Sequence, residues 1–176
     1  MTPQEIFDTL AARFGTAVSG FQPTAKDPWC VVEAAALRDV CLALRDEAAL
    51  KFDYLQNLTG VDDPKENKIA VVYHLFSYQH RHAFVLKVMA DRADPVVPTV
   101  EGVWKVANWH ERECYDLLGV IFEGHPDLRR LLLPDDWVGH PLRKDWVEPD
   151  FYHGIPTTRP NPTELFQVGK KDKAAS

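Results

Sequence analysis

The chain is poor in the residues that reactive centres are made from. It has three cysteines, Cys30, Cys41 and Cys114, and no two of them form a C-x-x-C pair. An odd, scattered set gives no disulfide framework and points to a reducing compartment. It also lacks the grouped thiolates that an iron–sulfur cluster requires. No apolar run approaches the ~20 residues needed to cross a bilayer, and the N-terminus, MTPQEIFDTL, lacks the basic flank of a signal peptide. Basic residues are in the minority, with 20 Lys and Arg against 26 Asp and Glu and a net charge of −6. That balance argues against a nucleic-acid binder driven by phosphate neutralisation. The glycines form no phosphate-binding loop, Ser19 and Ser77 have no triad context, and there are no internal repeats or low-complexity tracts. What is present is ordinary for one soluble domain of 176 residues: 45% hydrophobic and 26% charged.

Along the chain, Thr2, Pro3 and Glu5 predict a helix start. Thr2 caps, Pro3 suits the first helical position and Glu5 completes a capping box. Ile6, Leu10 and Phe14 then form an apolar stripe, and Gly15 is the stop. Strand-like runs follow at 17–21 and 29–33, separated by a turn-rich segment. From position 35 a helical period places Leu37, Val40, Cys41 and Leu44 together, ending near Asp46. Residues 52–61 fit neither period. Residues 69–78 and 81–90 alternate as strands and predict a long β-hairpin through Gln79 and His80. Thr99 is expected to cap a short helix carrying Val100, Val103 and Trp104. Asn108 is expected to cap another, with Glu111 at the capping-box position and Gly119 past its end. Residues 120–122 are a brief strand candidate. Beyond Asp145, prolines at 149, 156, 160 and 162 without an apolar period predict an extended arm, disordered alone and ordered along a partner. The fold expected is α+β: one two-layer domain over residues 1–145, with helices on a mixed or antiparallel sheet, and an arm over 146–176.

The densest information lies in residues 108–145. On a helix starting at Asn108, His110, Cys114, Leu117 and Leu118 share one face. Arg112 and Asp116, four apart, are placed to pair on roughly the opposite face. The charge order of Glu111, Arg112, Glu113 and Asp116 therefore describes a solvated face or a docking face. Gly-His-Pro then occurs twice, at 124–126 and 139–141, each time followed by a leucine and at least one arginine. Loops fixed by Pro and Gly present such groups with little entropy to lose on docking. Arginine donors suit carboxylates on a partner, and Trp109, Trp137 and Trp146 are anchors of the type enriched at binding hot spots.

Taken together, these residues resemble one family. Its signature is matched by Glu111-Arg112-Glu113, Tyr115-Asp116-Leu117-Leu118-Gly119-Val120, Phe122 and Gly124-His125-Pro126-Asp127-Leu128-Arg129-Arg130. The continuation through Leu132, Pro134-Asp135-Asp136-Trp137 and Gly139-His140-Pro141-Leu142-Arg143-Lys144-Asp145 fits as well, and Phe52-Asp53-Tyr54-Leu55 with Leu58-Thr59-Gly60-Val61-Asp62 resembles an upstream block. The family is the C subunit of the proton-translocating NADH:quinone oxidoreductase, respiratory complex I, called the J subunit in the photosynthetic NDH-1 complex.

The resemblance implies a cofactor-free subunit of the peripheral arm, docked on the quinone-site D subunit beside iron–sulfur subunits. It implies FMN, iron–sulfur clusters and quinone on those partners, and a place on the cytoplasmic side of the cell membrane reached through the complex. The docking residues it suggests are Glu111, Arg112, Glu113, Asp116, His125, Arg129, Arg130, Trp137, His140, Arg143, Lys144 and Asp145. Catalytic, cofactor and metal residues are expected to be absent from this chain.

Other chemistry is weaker. His80 and His82 share a hairpin face, with His74 on the same hairpin, but no acid or thiol stands at a ligand spacing. A free-standing metal-dependent enzyme is thus the distant alternative. The nearer one is the equivalent subunit of a membrane-bound hydrogenase, of a dehydrogenase of the reduced deazaflavin coenzyme, or of the photosynthetic complex. His125 and His140 precede prolines and are expected to bond backbone rather than titrate. Asp62-Asp63 and Asp135-Asp136 have no neighbouring base and read as turn and capping residues.

Overall fold

A computed structural model describes residues 1–157. Helix α1 spans Pro3–Phe14 and opens on the full capping box: Glu5 N–H donates to the Thr2 hydroxyl, and Thr2 N–H donates to the Glu5 carboxylate. Strands β1 (Val18–Gln22) and β2 (Trp29–Val32) follow, then helix α2 (Leu37–Asp46) after a short 3-10 turn. Three ten-residue strands come next, β3 (Tyr54–Asp63), β4 (Lys68–Ser77) and β5 (His82–Asp91). Strand β6 (Val96–Pro98), helix α3 (Ala107–Leu118) and strand β7 (Ile121–Glu123) complete the first unit, which ends at Lys144.

The main sheet has the order β1-β2-β5-β4-β3. It is mixed, because β2 runs parallel to β5 while the other pairs are antiparallel. β6 and β7 form a separate parallel pair. Successive strand side chains alternate between faces, and one face carries Cys30, Leu58, Ile69, Val71, Tyr73, Phe84, Leu86 and Val88 into a single core. Ile6 and Leu10 of α1, Leu37, Val40, Cys41 and Leu44 of α2, and Cys114 and Leu118 of α3 pack into that same core. The result is the expected α+β layer arrangement.

Four expectations need correction. The segment 52–61 looked aperiodic because β3 carries a bulge between Leu55 and Asn57; the extra residue changes phase, so Leu55 and Leu58, three apart, both point inward. The β4–β5 connection is four residues long, not two, and places Arg81 at φ 54. Thr99 does accept Glu101 N–H, but the helical path from there closes after one turn, with Trp104 N–H on the Val100 carbonyl. Val100, Val103 and Trp104 are buried all the same. Finally, α3 begins at Ala107 without a side-chain cap, so Asn108 lies inside it.

The second unit runs from Asp145. Its described part is not wholly extended: β8 (Phe151–Tyr152) pairs antiparallel with β9 (Ile155–Pro156) through His153 and Gly154, both at positive φ. The rest of the arm, 158–176, lies outside the described residues.

Candidate functional site

Residues 124–144 wrap back along α3, and the charged residues of the helix hold the wrap in place. Asp116, with its side chain fully buried, accepts Arg130 Nη1 at 3.1 Å. Its Oδ2 accepts the backbone N–H groups of Leu131, Leu132 and Leu133 at 3.0, 2.7 and 2.9 Å. Burial pushes the Asp116 carboxyl up, but those three amides and Arg130 together hold it below its ordinary value. The Arg112–Asp116 pair expected within the helix therefore gives way to Arg130. Arg112 instead donates to the carbonyls of Arg129 and Arg130, both at 3.3 Å, and lies over the Trp109 ring, 5.1 Å from its centroid.

The same wrap satisfies the C-terminal end of α3, whose last carbonyls have no partner within the helix. Gly119, at φ 75, donates its N–H to the Tyr115 carbonyl. His140 Nδ1 bonds the Asp116 carbonyl at 2.9 Å, Leu142 N–H the Leu117 carbonyl at 3.1 Å, and Arg143 Nε the Leu118 carbonyl at 2.7 Å. His140 of the second Gly-His-Pro, with Leu142 and Arg143 just after it, thus satisfies the carbonyls that the helix end leaves open. The first is a matching latch near the start: His125 Nε2 bonds the Asn108 carbonyl at 3.3 Å, and its Nδ1 accepts Asp127 N–H at 3.0 Å. Both histidines bond backbone, as expected of them.

Glu111 has no exposed surface. Rather than forming a capping box it faces the core, accepting Val100 N–H at 2.7 Å and the Thr99 hydroxyl at 2.5 Å. His125 Nε2 stands 3.9 Å from its carboxylate. Burial pushes the Glu111 carboxyl up to about 7 against these two donors.

The docking residues read from the sequence therefore fall into two groups. Glu111, Arg112 and Asp116 are buried, with their side-chain groups engaged inside this chain. His125, Arg130, His140 and Arg143 are half-buried and bonded to backbone or to Asp116, and Trp137 is half-buried. Glu113, Arg129, Lys144 and Asp145 are exposed, the last opening the second unit. Sequence reasoning passed over the apolar residues of the wrap: Leu132, Val138 and Leu142 are 63%, 83% and 52% exposed.

Two further anchors were not foreseen. Asp62, read as a turn residue, is buried and grips Arg92 twice, at 2.6 and 3.0 Å, while accepting Lys144 N–H at 2.7 Å. Asp63 beside it is the turn residue, accepting Lys65 and Glu66 N–H. His110 Nδ1 accepts Leu58 N–H at 3.0 Å, and Cys114 lies one turn further on against Gly60 N–H. An imidazole and a thiol at i and i+4 thereby close the edge strand β3. Their only signal was placement on one helical face.

Among the described residues the three thiols do not gather into a ligand set. Cys30, Cys41 and Cys114 stand on β2, α2 and α3, and burial pushes Cys30 and Cys114 up to about 12 and Cys41 higher. His80 and His82 each bond a carbonyl of the preceding turn, Ala48 and Leu50 respectively, at 2.7 Å. Among the described residues, no three His, Cys, Asp or Glu gather as a metal site, and no helix is long and apolar enough to cross a membrane.

This arrangement bonds the wrap to α3, and the sequence defines the class of the chain. Residues 30–152 match the family model described as respiratory-chain NADH dehydrogenase, 30 Kd subunit, and the chain belongs to that family. The C subunit of the NADH-quinone oxidoreductase of Chlorobium phaeobacteroides is 44% identical over 151 residues, covering 85% of this chain and 91% of the relative. The C subunit from a Roseiflexus species is 44% identical over 141 residues, covering 80% and 81%. Among solved structures, the trypsin-resistant fragment of Nqo5 superposes with a TM-score of 0.59 at 29% identity, over 73% of this chain and all of that one. A chain of the membrane-bound sulfane sulfur reductase, an archaeal respiratory membrane complex, shares the fold, with a TM-score of 0.68 at 24% identity.

Proposed function

We propose that this chain is the cofactor-free C subunit of a proton-translocating NADH:quinone oxidoreductase, docked by its wrap on the quinone-site D subunit. One observation carries the docking: the wrap's backbone is fixed to α3 at several points, yet its apolar side chains Leu132, Val138 and Leu142 face outward. A loop already ordered loses little entropy on binding, and apolar residues on a rigid frame are where contact energy concentrates. FMN, iron–sulfur clusters and quinone belong to the neighbouring subunits in this reading. The chain's role is to hold those subunits in the geometry that electron transfer from NADH requires. It joins the membrane through the complex, on the cytoplasmic side.

The test is to tag this chain in its native host and isolate what accompanies it, for the natural chain and for Leu132→Asp and Val138→Asp. The quinone-site subunit should co-purify with the natural chain and be lost from both variants, while both keep the natural unfolding midpoint. Full recovery of the quinone-site subunit with both variants would refute docking through the wrap.

A further inference from the structure

The helices cover one face of the main sheet, and its other face carries a second, smaller apolar cluster of Ala70, Val72 and Val85 with Trp29 packed on it. The strand register shows how this face is laid out. One row reads Val31, Lys87, Val72 and Thr59 across β2, β5, β4 and β3, and the next reads Trp29, Val85, His74 and Asn57. Toward the other end, Met89, Ala70 and Val61 form a third row, with Met89 40% and Val61 50% exposed. Ala70, Val72 and Val85 are buried, Trp29, Val31 and Lys87 are half-buried around them, and Met89 and Val61 are two large apolar side chains left exposed on one row.

The charge on this face is equally uneven. Lys87 is the one Lys, Arg, Asp or Glu in those rows, and its Nζ lies 3.6 Å from the centre of the Trp29 ring. Among the described residues no carboxylate comes within ion-pair distance of it. Asp27 borders the same hollow, of about 290 Å3, from the loop before β2. Burial already pushes the Lys87 ammonium below its ordinary value. An ammonium held on an apolar platform without a counter-charge gains most from a carboxylate brought in from outside.

We infer that the outward sheet face is a second interface, covered by a different protein segment that presents apolar side chains around an acidic residue paired with Lys87. A second copy of this chain fits less well. A two-fold contact sets the same patch against itself and adds a second Lys87 ammonium to the seam, with no carboxylate in those rows to pair it. The wrap lies on α3, across the helical layer from this face, so the inference stands apart from docking through the wrap. It makes the chain a bridge between two neighbours.

The experiment compares the free full-length chain with the complex isolated through a tag on it. Lys87 and Met89 are labelled with an amine-reactive reagent and by mild oxidation, and Arg129 is probed alongside. Both sheet residues should react in the free chain and be protected in the complex. Lys87→Glu should keep the natural unfolding midpoint yet reduce incorporation roughly thirtyfold or more, the scale for disrupting a buried interfacial charge pair. Lys87→Arg should restore it. Equal labelling of Lys87 and Met89 in both states, or normal incorporation of Lys87→Glu, overturns the inference. If Arg129 is then protected, docking through the wrap survives alone. A dimer of the free chain in sedimentation that Lys87→Glu abolishes would assign the face to a second copy, and likewise overturns it.

Discussion

The imidazole of His140 occupies the space that a side chain on residue 119 would need: a Cβ built on Gly119 falls 2.5 Å from His140 Nε2. Two requirements meet at one glycine, because its φ of 75 is also the left-handed conformation that closes α3. Gly119→Ala should therefore cost more than the ~1 kcal/mol of left-handed backbone strain. His140 must also give up its bond to the Asp116 carbonyl. Urea unfolding of the natural and variant chains measures the difference, and a loss no larger than the backbone term would show that His140 yields freely.

Asp116 and Arg129 should separate folding from docking. Asp116→Ala takes the buried acceptor from Arg130 and three wrap amides, and should destabilise by about 3 kcal/mol, the lower end of the range for breaking a buried pair. Arg129 has an exposed side chain whose partner, Asp127, is exposed too. Arg129→Ala should leave the unfolding midpoint unchanged and lower recovery of the quinone-site subunit in the tagged complex. Equilibrium unfolding together with co-purification checks both halves.

Stability should pass through a maximum between two acid transitions of opposite sign. Arg92 and the Lys144 amide hold the Asp62 carboxyl below its usual range, as the wrap amides and Arg130 do for Asp116. Carboxyls lowered on folding stabilise above their unfolded pKa of ~3.9 and lose that contribution as pH falls through their folded values. Glu111 is shifted the other way, from 4.5 to about 7. A carboxyl raised on folding contributes fully below its unfolded value, and that contribution is lost as pH rises through its folded one. Unfolding free energy should thus decline from pH 4.5 to about 7, and Glu111→Gln should flatten that decline while leaving the acid limb in place.

His110→Phe keeps an aromatic ring on α3 but removes the acceptor for Leu58 N–H. An unsatisfied buried amide costs ~1–3 kcal/mol. Native-state hydrogen exchange should show the Leu58 amide losing protection ahead of the β4–β5 pairs; unchanged protection at Leu58 would mean that another group closes this edge.

What the sequence made legible is what is decided locally. The α1 capping box was readable because Thr2 and Glu5 meet within one turn, and the β4–β5 hairpin because period-2 alternation survives over ten residues on each side. The phase of β3 was hidden by a bulge that alternation cannot anticipate. In α3 the charge spacing suggested an Arg112–Asp116 pair, yet the competing donors arrive from fourteen to seventeen residues downstream. Glu111 was turned inward by Thr99 and Val100, which precede it by a whole loop. The family's charge order could be recognised as a pattern, but whether each member faces outward or inward is settled by tertiary partners.

Asp62 has a mechanical consequence. Lys144 is the last residue of the first unit, and the carboxylate that holds its amide also grips Arg92 beyond the end of β5. Tension entering at Asp145 is therefore delivered first to a clamp joining β3 to the chain after β5, instead of peeling the wrap from α3 one bond at a time. That clamp must open before the bonds from Arg143, Leu142 and His140 to the end of α3 take the load, so the wrap should keep its shape until the clamp fails.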